Sequence, residues 1–169
     1  MTRWEHTLDE VEQTVVKIIA LGRQAVARGI GITDAKIGPQ SAEATDLEGF
    51  AAEYVFCKLM NCYPDFQLGE RRDYDALVGD VPVDVKATIY PNGRLLVRAS
   101  KASHPAEWYA LVTGTFPGPY RLRGLAPRSM VMRDVQLQDL GHGPTYVVAQ
   151  SDLLSPMDFL VEVQRERKG

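Results

Sequence analysis

The chain has 169 residues, a formal net charge of −3 and 45% hydrophobic residues, which suits one domain, spanning 1–169, with a full core and argues against a disordered chain. No apolar run approaches the roughly 18 residues that span a bilayer, and Met-Thr-Arg-Trp-Glu-His at the start lacks the apolar stretch of a signal peptide. The acidic balance does not mark an overall basic nucleic-acid binder, although a local basic surface can coexist with it. Cys57 and Cys62 have the spacing of neither a zinc knuckle nor a redox pair, so they are expected to be reduced thiols of a cytoplasmic protein.

The first predicted helix covers residues 5–28. Leu8, Val11, Val15, Ile18, Ile19, Ala25 and Val26 recur at helical spacing, with Glu5, Asp9, Glu10 and Glu12 near the start, Arg23 and Arg28 near the end, and Gly29 and Gly31 as the stop. The favoured role is a helix that covers the core; the alternative is a helix that projects and forms a homodimer. Residues 32–40, with Gly38-Pro39, read as a loop.

A second helix is predicted over 45–60. Thr45-Asp-Leu-Glu48 has the spacing of a capping box, which assigns Glu48 to a structural role. Leu47, Phe50, Tyr54 and Cys57 form its inward stripe. Glu53 lies at the border of that stripe. It is either a surface glutamate or a carboxylate that looks over the rim of the core toward a sheet.

Asp65 to Leu68 reads as a short strand and Gly69 to Arg72 as a polar loop. The stretch Asp73 to Thr88 then reads as two strands joined at Gly79-Asp80. Val81, Val83 and Val85 alternate with Pro82, Asp84 and Lys86, so Asp84 and Lys86 share the face opposite the valines. Asp75 enters the first strand, and the hairpin brings it toward Asp84. Pro91-Asn92-Gly93 is a turn, after which Arg94 to Arg98 is expected as a third antiparallel strand. A polar linker over 100–107 has room for one helical turn. Trp108 to Thr113 is a buried strand, Tyr120 to Leu125 and Met130 to Met132 are weaker strands, Tyr146 to Gln150 is a short one, and 156–166 is a final helix.

Asp75, Asp84 and Lys86, next to a helix carrying Glu53, offer hard oxygen ligands and one ammonium group. Carboxylates without His or Cys select Mg²⁺ or Mn²⁺, and such an ion leaves positions open for water and phosphate oxygens. Lys86 is placed to orient that water or to stabilise charge on a phosphate.

The pattern Asp75–x8–Asp84–x–Lys86, with Thr88 trailing and Gly49-x-x-x-Glu53 on the preceding helix, resembles the PD-(D/E)xK, or restriction-endonuclease-like, nuclease superfamily, and in particular small bacteriophage-encoded members. The resemblance covers about residues 46–113. It implies an α/β (α+β) fold with an αβββαβ core, a mixed central sheet flanked by helices. It also implies divalent-metal-dependent cleavage of nucleic acid, most simply DNA, by an endonuclease or a structure-specific, junction-resolving nuclease. Asp75 and Asp84 would be metal ligands, Glu53 an accessory ligand and Lys86 the catalytic lysine. Arg98, Lys101 and Thr88 are candidates for substrate binding, and a homodimer is a candidate assembly. The alternative is a non-catalytic nucleic-acid-binding or assembly protein on the same fold.

Overall fold

A computed structural model describes residues 3–29, 42–69 and 73–168. The expected loop over 32–40, Gly31, and Glu70 to Arg72 lie outside the described residues. The chain is a mixed α+β protein. A short strand β1 (Glu5–His6) leads into α1 (Glu10–Gly29) and α2 (Ala42–Met60). Strands β2 (Ala76–Val78) and β3 (Val81–Thr88) form the hairpin, with Gly79 at φ 64° in its turn, a backbone region that suits glycine. After β4 (Leu95–Arg98) come β5 (Trp108–Thr113) and β6 (Tyr120–Pro127), the single helical turn α3 (Arg128–Val131), β7 (Leu137–Asp139), β8 (Pro144–Val148) and α4 (Pro156–Glu166).

Five strands make one sheet in the order β1-β6-β5-β3-β2, and three make a second in the order β4-β8-β7. All pairs in the large sheet are antiparallel except β3–β5, which is parallel, with Asp84 beside Tyr109 and Lys86 beside Leu111. β5 is buried along its whole length, and pleating divides its side chains between two cores. Trp108, Ala110 and Val112 join Val83, Val85, Phe50, Val55, Phe56 and Phe159 on the face covered by the helices. Tyr109 and Leu111 join Leu95, Val97, Ala126, Val131 and Val148 on the face covered by the small sheet.

Several elements differ from their sequence reading. Residues 5 and 6 form a strand against Tyr120 and Arg121 rather than the first helical turn. Helix α1 begins at a capping box in which Asp9 Oδ1 accepts from Glu12 N–H and Glu12 Oε2 accepts from Asp9 N–H, both at 2.9 Å. Its buried residues are Glu12, Val16, Ala20 and Gln24, whereas Val11, Ile18 and Val26 of the expected inward stripe are exposed. Helix α2 starts before Thr45, so Thr45 and Glu48 are no capping box; the Glu48 carboxylate instead accepts from Tyr120 Oη at 2.6 Å and Phe116 N–H at 2.9 Å. Asp65 to Leu68 is not a strand, and residues 128–131 are helical rather than extended. The strand expected to return beside the hairpin, β4, pairs with β8 in the other sheet. The crossover from β3 to β5 therefore runs through β4 and the 3-10 turn Ala99–Lys101, with no helix in it.

Candidate active site

The site residues are positioned where β2 begins. The ladder between β2 and β3 pairs Ala76 with Val83, and Asp75 N–H extends it by donating to Val83 O at 3.0 Å. Beyond that point the Asp75 side chain takes over: its Oδ2 accepts the Val85 N–H at 2.7 Å, in the position that a strand carbonyl would otherwise occupy. The Asp75 carboxylate is thus at the end of the sheet, where both faces reach it. Directly across the hairpin is Asp84, on the face of the small sheet. Helix α2, which carries Glu53, packs on the opposite face with Val83 and Val85.

Each of the three carboxylates has a protein donor. Lys86 Nζ lies 2.7 Å from Asp84 Oδ1 and 3.0 Å from Oδ2, as expected for residues two apart on one strand face. Arg23 of α1 holds Glu53 with an Nη1–Oε2 contact of 2.9 Å. The same guanidinium donates to Asp65 O at 2.6 Å and Gln67 O at 3.2 Å, and its Cζ is 4.5 Å from the centre of the Phe50 ring. Arg23 thereby ties α1, α2 and the 65–67 loop to Glu53.

The electrostatics single out Asp75. Burial pushes its carboxyl well above the usual carboxylate range; Glu53 and then Asp84 push it the same way, against the opposing Val85 N–H bond and Lys86 charge. For Lys86, burial works to lower the ammonium pKa, but Asp84 and Asp75 outweigh it and the net shift is upward. Lys86 is therefore a fixed positive charge at neutral pH. Cys57, one turn beyond Glu53, is buried and shares a hydrogen bond with Cys62; this bond, burial and the nearby Glu53 and Asp75 charges all raise its thiol pKa, so it stays protonated. Both cysteines are free thiols.

Asp75 also lines a groove of about 520 Å³ with Tyr63, Pro64, Asp65, Phe66, Gln67, Ala76 and Leu77. Tyr63 projects there with 82% of its surface exposed, its ring edge-on to Phe66 at 5.6 Å.

The structure brings Glu53, Asp75, Asp84 and Lys86 into one electrostatic neighbourhood. Among the described residues, no three His, Cys, Asp or Glu side chains are gathered closely enough to form a ready-made metal cluster. The donor set still suits a hard divalent ion. It is made of carboxylates, and their mutual repulsion at Asp75 is what such an ion would relieve. Thr88, at the end of β3, accepts from Tyr90 N–H at 3.3 Å. Arg98 ends β4 and Lys101 is exposed in the turn that follows, so both belong to the crossover rather than to the hairpin. Gln150 clamps the 91–93 turn by donating to Pro91 O and Gly93 O.

Two residues escape sequence reasoning. Arg23 reads as a helix-end cation, and nothing local reveals its partner thirty positions later. Tyr109 reads as core and is core, but the parallel register sets it beside Asp84 with its hydroxyl buried. Compared with family models, with curated proteins and with solved structures, the chain matches none.

Proposed function

We propose that this chain is a divalent-metal-dependent nuclease that hydrolyses phosphodiester bonds in DNA, with a site of the PD-(D/E)xK kind. The observation that carries the reading is the Asp75 carboxylate, held at the sheet end by Val85 N–H and raised in pKa first by its burial and then by Glu53 and Asp84. A buried acid repelled by two others costs the fold stability, and such strained ionisable groups cluster at functional sites. Helix, acidic hairpin and a strand parallel to the hairpin's second strand follow one another as in the superfamily core. The αβββαβ pattern calls for a helix between β3 and β5; this chain has none there, and β4, β7 and β8 form the sheet on that face.

Asp75 and Asp84 would hold Mg²⁺ or Mn²⁺, with Glu53 as an accessory ligand. The ion supplies polarisation of the phosphate and an acidified water. Because Lys86 stays protonated, it is a poor proton acceptor; its work is to hold the attacking water or to offset charge building on the phosphate oxygens. Binding the ion requires Asp84 to exchange part of its contact with Lys86, which frees the ammonium for the substrate. The groove with Tyr63 and Phe66 beside Asp75 offers an aromatic surface for an unstacked base.

The test is nicking of circular duplex and single-stranded DNA in Mg²⁺ or Mn²⁺, with EDTA as control. Asp84→Asn and Lys86→Ala should each abolish it with the fold intact; cleavage that survives in both contradicts the proposal. The pairing of each carboxylate with a protein donor favours a second reading, a nucleic-acid-binding protein with an unused site. DNA binding that is indifferent to Mg²⁺, without nicking in any divalent metal, would select it.

A further inference from the structure

Helix α1 buries two polar side chains beside Val16 and Ala20 and turns a second apolar stripe outward. Glu12 and Gln24 are on its buried side, with Arg23 half-buried beside them, while Val11 is 72%, Ile18 61% and Leu21 62% exposed. At 100° per residue, Val11, Thr14, Ile18, Leu21 and Ala25 fall on one outward stripe, with the three-four spacing of a helix-pairing seam. Leu68 extends it: its side chain lies against Gly22, where an added Cβ would sit 2.8 Å from Leu68 Cδ2, and Leu68 is itself 40% exposed. An exposed apolar stripe of this length marks an interaction surface.

We infer that this stripe is the seam of a symmetric dimer in which α1 packs antiparallel against α1 of a second copy. Two features of the helix select that occupant. The first is the position of the bulk. Helix α1 spans Glu10–Gly29, so its midpoint falls between residues 19 and 20, and the two largest exposed apolar side chains of the helix, Ile18 and Leu21, flank it. A two-fold axis at that midpoint sets Ile18 of each copy against Leu21 of the other and Thr14 against Ala25, a self-complementary arrangement. The second is charge. Glu10 and Arg28 lie along the same edge of the stripe, at opposite ends. Antiparallel pairing keeps that edge on one side of the seam, brings Glu10 of each copy to Arg28 of the other and opposes the helix dipoles, whereas parallel pairing leaves Glu10 and Arg28 at opposite ends of the seam with the dipoles aligned. Arg28 contacts Glu43 at 3.1 Å, but both side chains are largely exposed, so the exchange of partner is inexpensive.

The helix is about 30 Å long, so the seam is small against the roughly 800 Å² per partner of a standard interface, and dissociation in the micromolar range is expected. The test is sedimentation equilibrium of the full chain over a concentration series. The wild type should be dimeric at high concentration. Ile18→Asp, at an exposed position that leaves the fold intact by circular dichroism, should be monomeric throughout. Glu10→Arg should weaken the dimer by about two- to five-fold through its two symmetric contacts, and the double variant Glu10→Arg/Arg28→Glu should restore it. A wild type that stays monomeric to about 200 μM, a dimer that survives Ile18→Asp, or a double variant weaker than either single one would each overturn the inference.

Discussion

Replacing Asp75 by Asn tests whether the buried acid strains the resting protein. The amide keeps an oxygen for the Val85 N–H, which now bonds Oδ2 at 2.7 Å, and removes a charge that burial, Glu53 and Asp84 all disfavour. At an effective dielectric constant of about 20, one unit-charge interaction within a partly buried cluster is on the order of 2 kcal/mol. Two repulsions against the one attraction to Lys86 leave about 2 kcal/mol of net charge relief, before the release of desolvation. In a domain of this size that raises the melting temperature by about 4–8 °C. Asp75→Ala relieves the same charge but orphans the Val85 N–H, which costs about 1–3 kcal/mol, so it should melt below Asp75→Asn by that margin. The assay is thermal unfolding by circular dichroism at pH 7.5 in EDTA. Repeated in excess Mg²⁺, the wild type should gain stability by ligand binding to the native state, and Asp75→Asn should gain far less. An Asn variant that melts at or below the wild type in EDTA, or level with the Ala variant, refutes the reasoning.

Other positions yield separate expectations. Glu12 is buried, which raises its pKa, but bonds from Lys58, Asp9 N–H and His6 outweigh burial and lower it overall. A lowered carboxylate stabilises the fold above its unfolded pKa of about 4.3, and that stability is lost as pH falls through the lower folded value; Glu12→Gln should flatten the acid limb of a melting-temperature profile between about pH 5 and 2, and an unchanged limb counts against it. Tyr120→Phe removes the 2.6 Å bond to the Glu48 carboxylate and should cost about 1.5–3 kcal/mol in urea unfolding; a loss well under 1 kcal/mol, roughly a neutral hydrogen bond, would show that Glu48 does not anchor the β5–β6 loop. Tyr63→Ala should weaken single-stranded DNA binding by about 1–3 kcal/mol, one stacked base, while leaving the melting temperature unchanged because the ring is exposed; unaltered affinity removes the groove from the substrate path.

The hairpin was legible because its signals are local: alternation in β3, Gly79 in the turn and the acids at fixed offsets. So was α4, where Ser155 Oγ accepts from Asp158 N–H at 3.1 Å and Pro156 takes the first helical position. Capping boxes were not, because Asp9–Glu12 and Thr45–Glu48 look alike in sequence; only the tertiary partners of Glu48, Phe116 and Tyr120, distinguish them. The expected apolar stripe of the first helix was placed only in part: Leu8 and Ile19 pack on the core while Val11, Ile18 and Val26 face outward, since periodicity gives a face and not its neighbour. Glu12 can be buried there because His6 and Lys58 reach it from β1 and α2. Strand partners were equally hidden: the residues of β4 suit either sheet, and the register that sets Asp84 beside Tyr109 is decided by packing across a crossover that contains β4. For the candidate site, the hairpin residues could be read locally, but Arg23, which holds Glu53, could not.

The most direct measurement is an anomalous difference map from crystals of the wild-type chain soaked in Mn²⁺. The account predicts a peak at the start of β2 with Asp75 and Asp84 carboxylate oxygens about 2.0–2.3 Å away, and its loss in Asp75→Asn. A map with no density there at saturating Mn²⁺, or with the ion bound elsewhere while DNA is still cut, would contradict it.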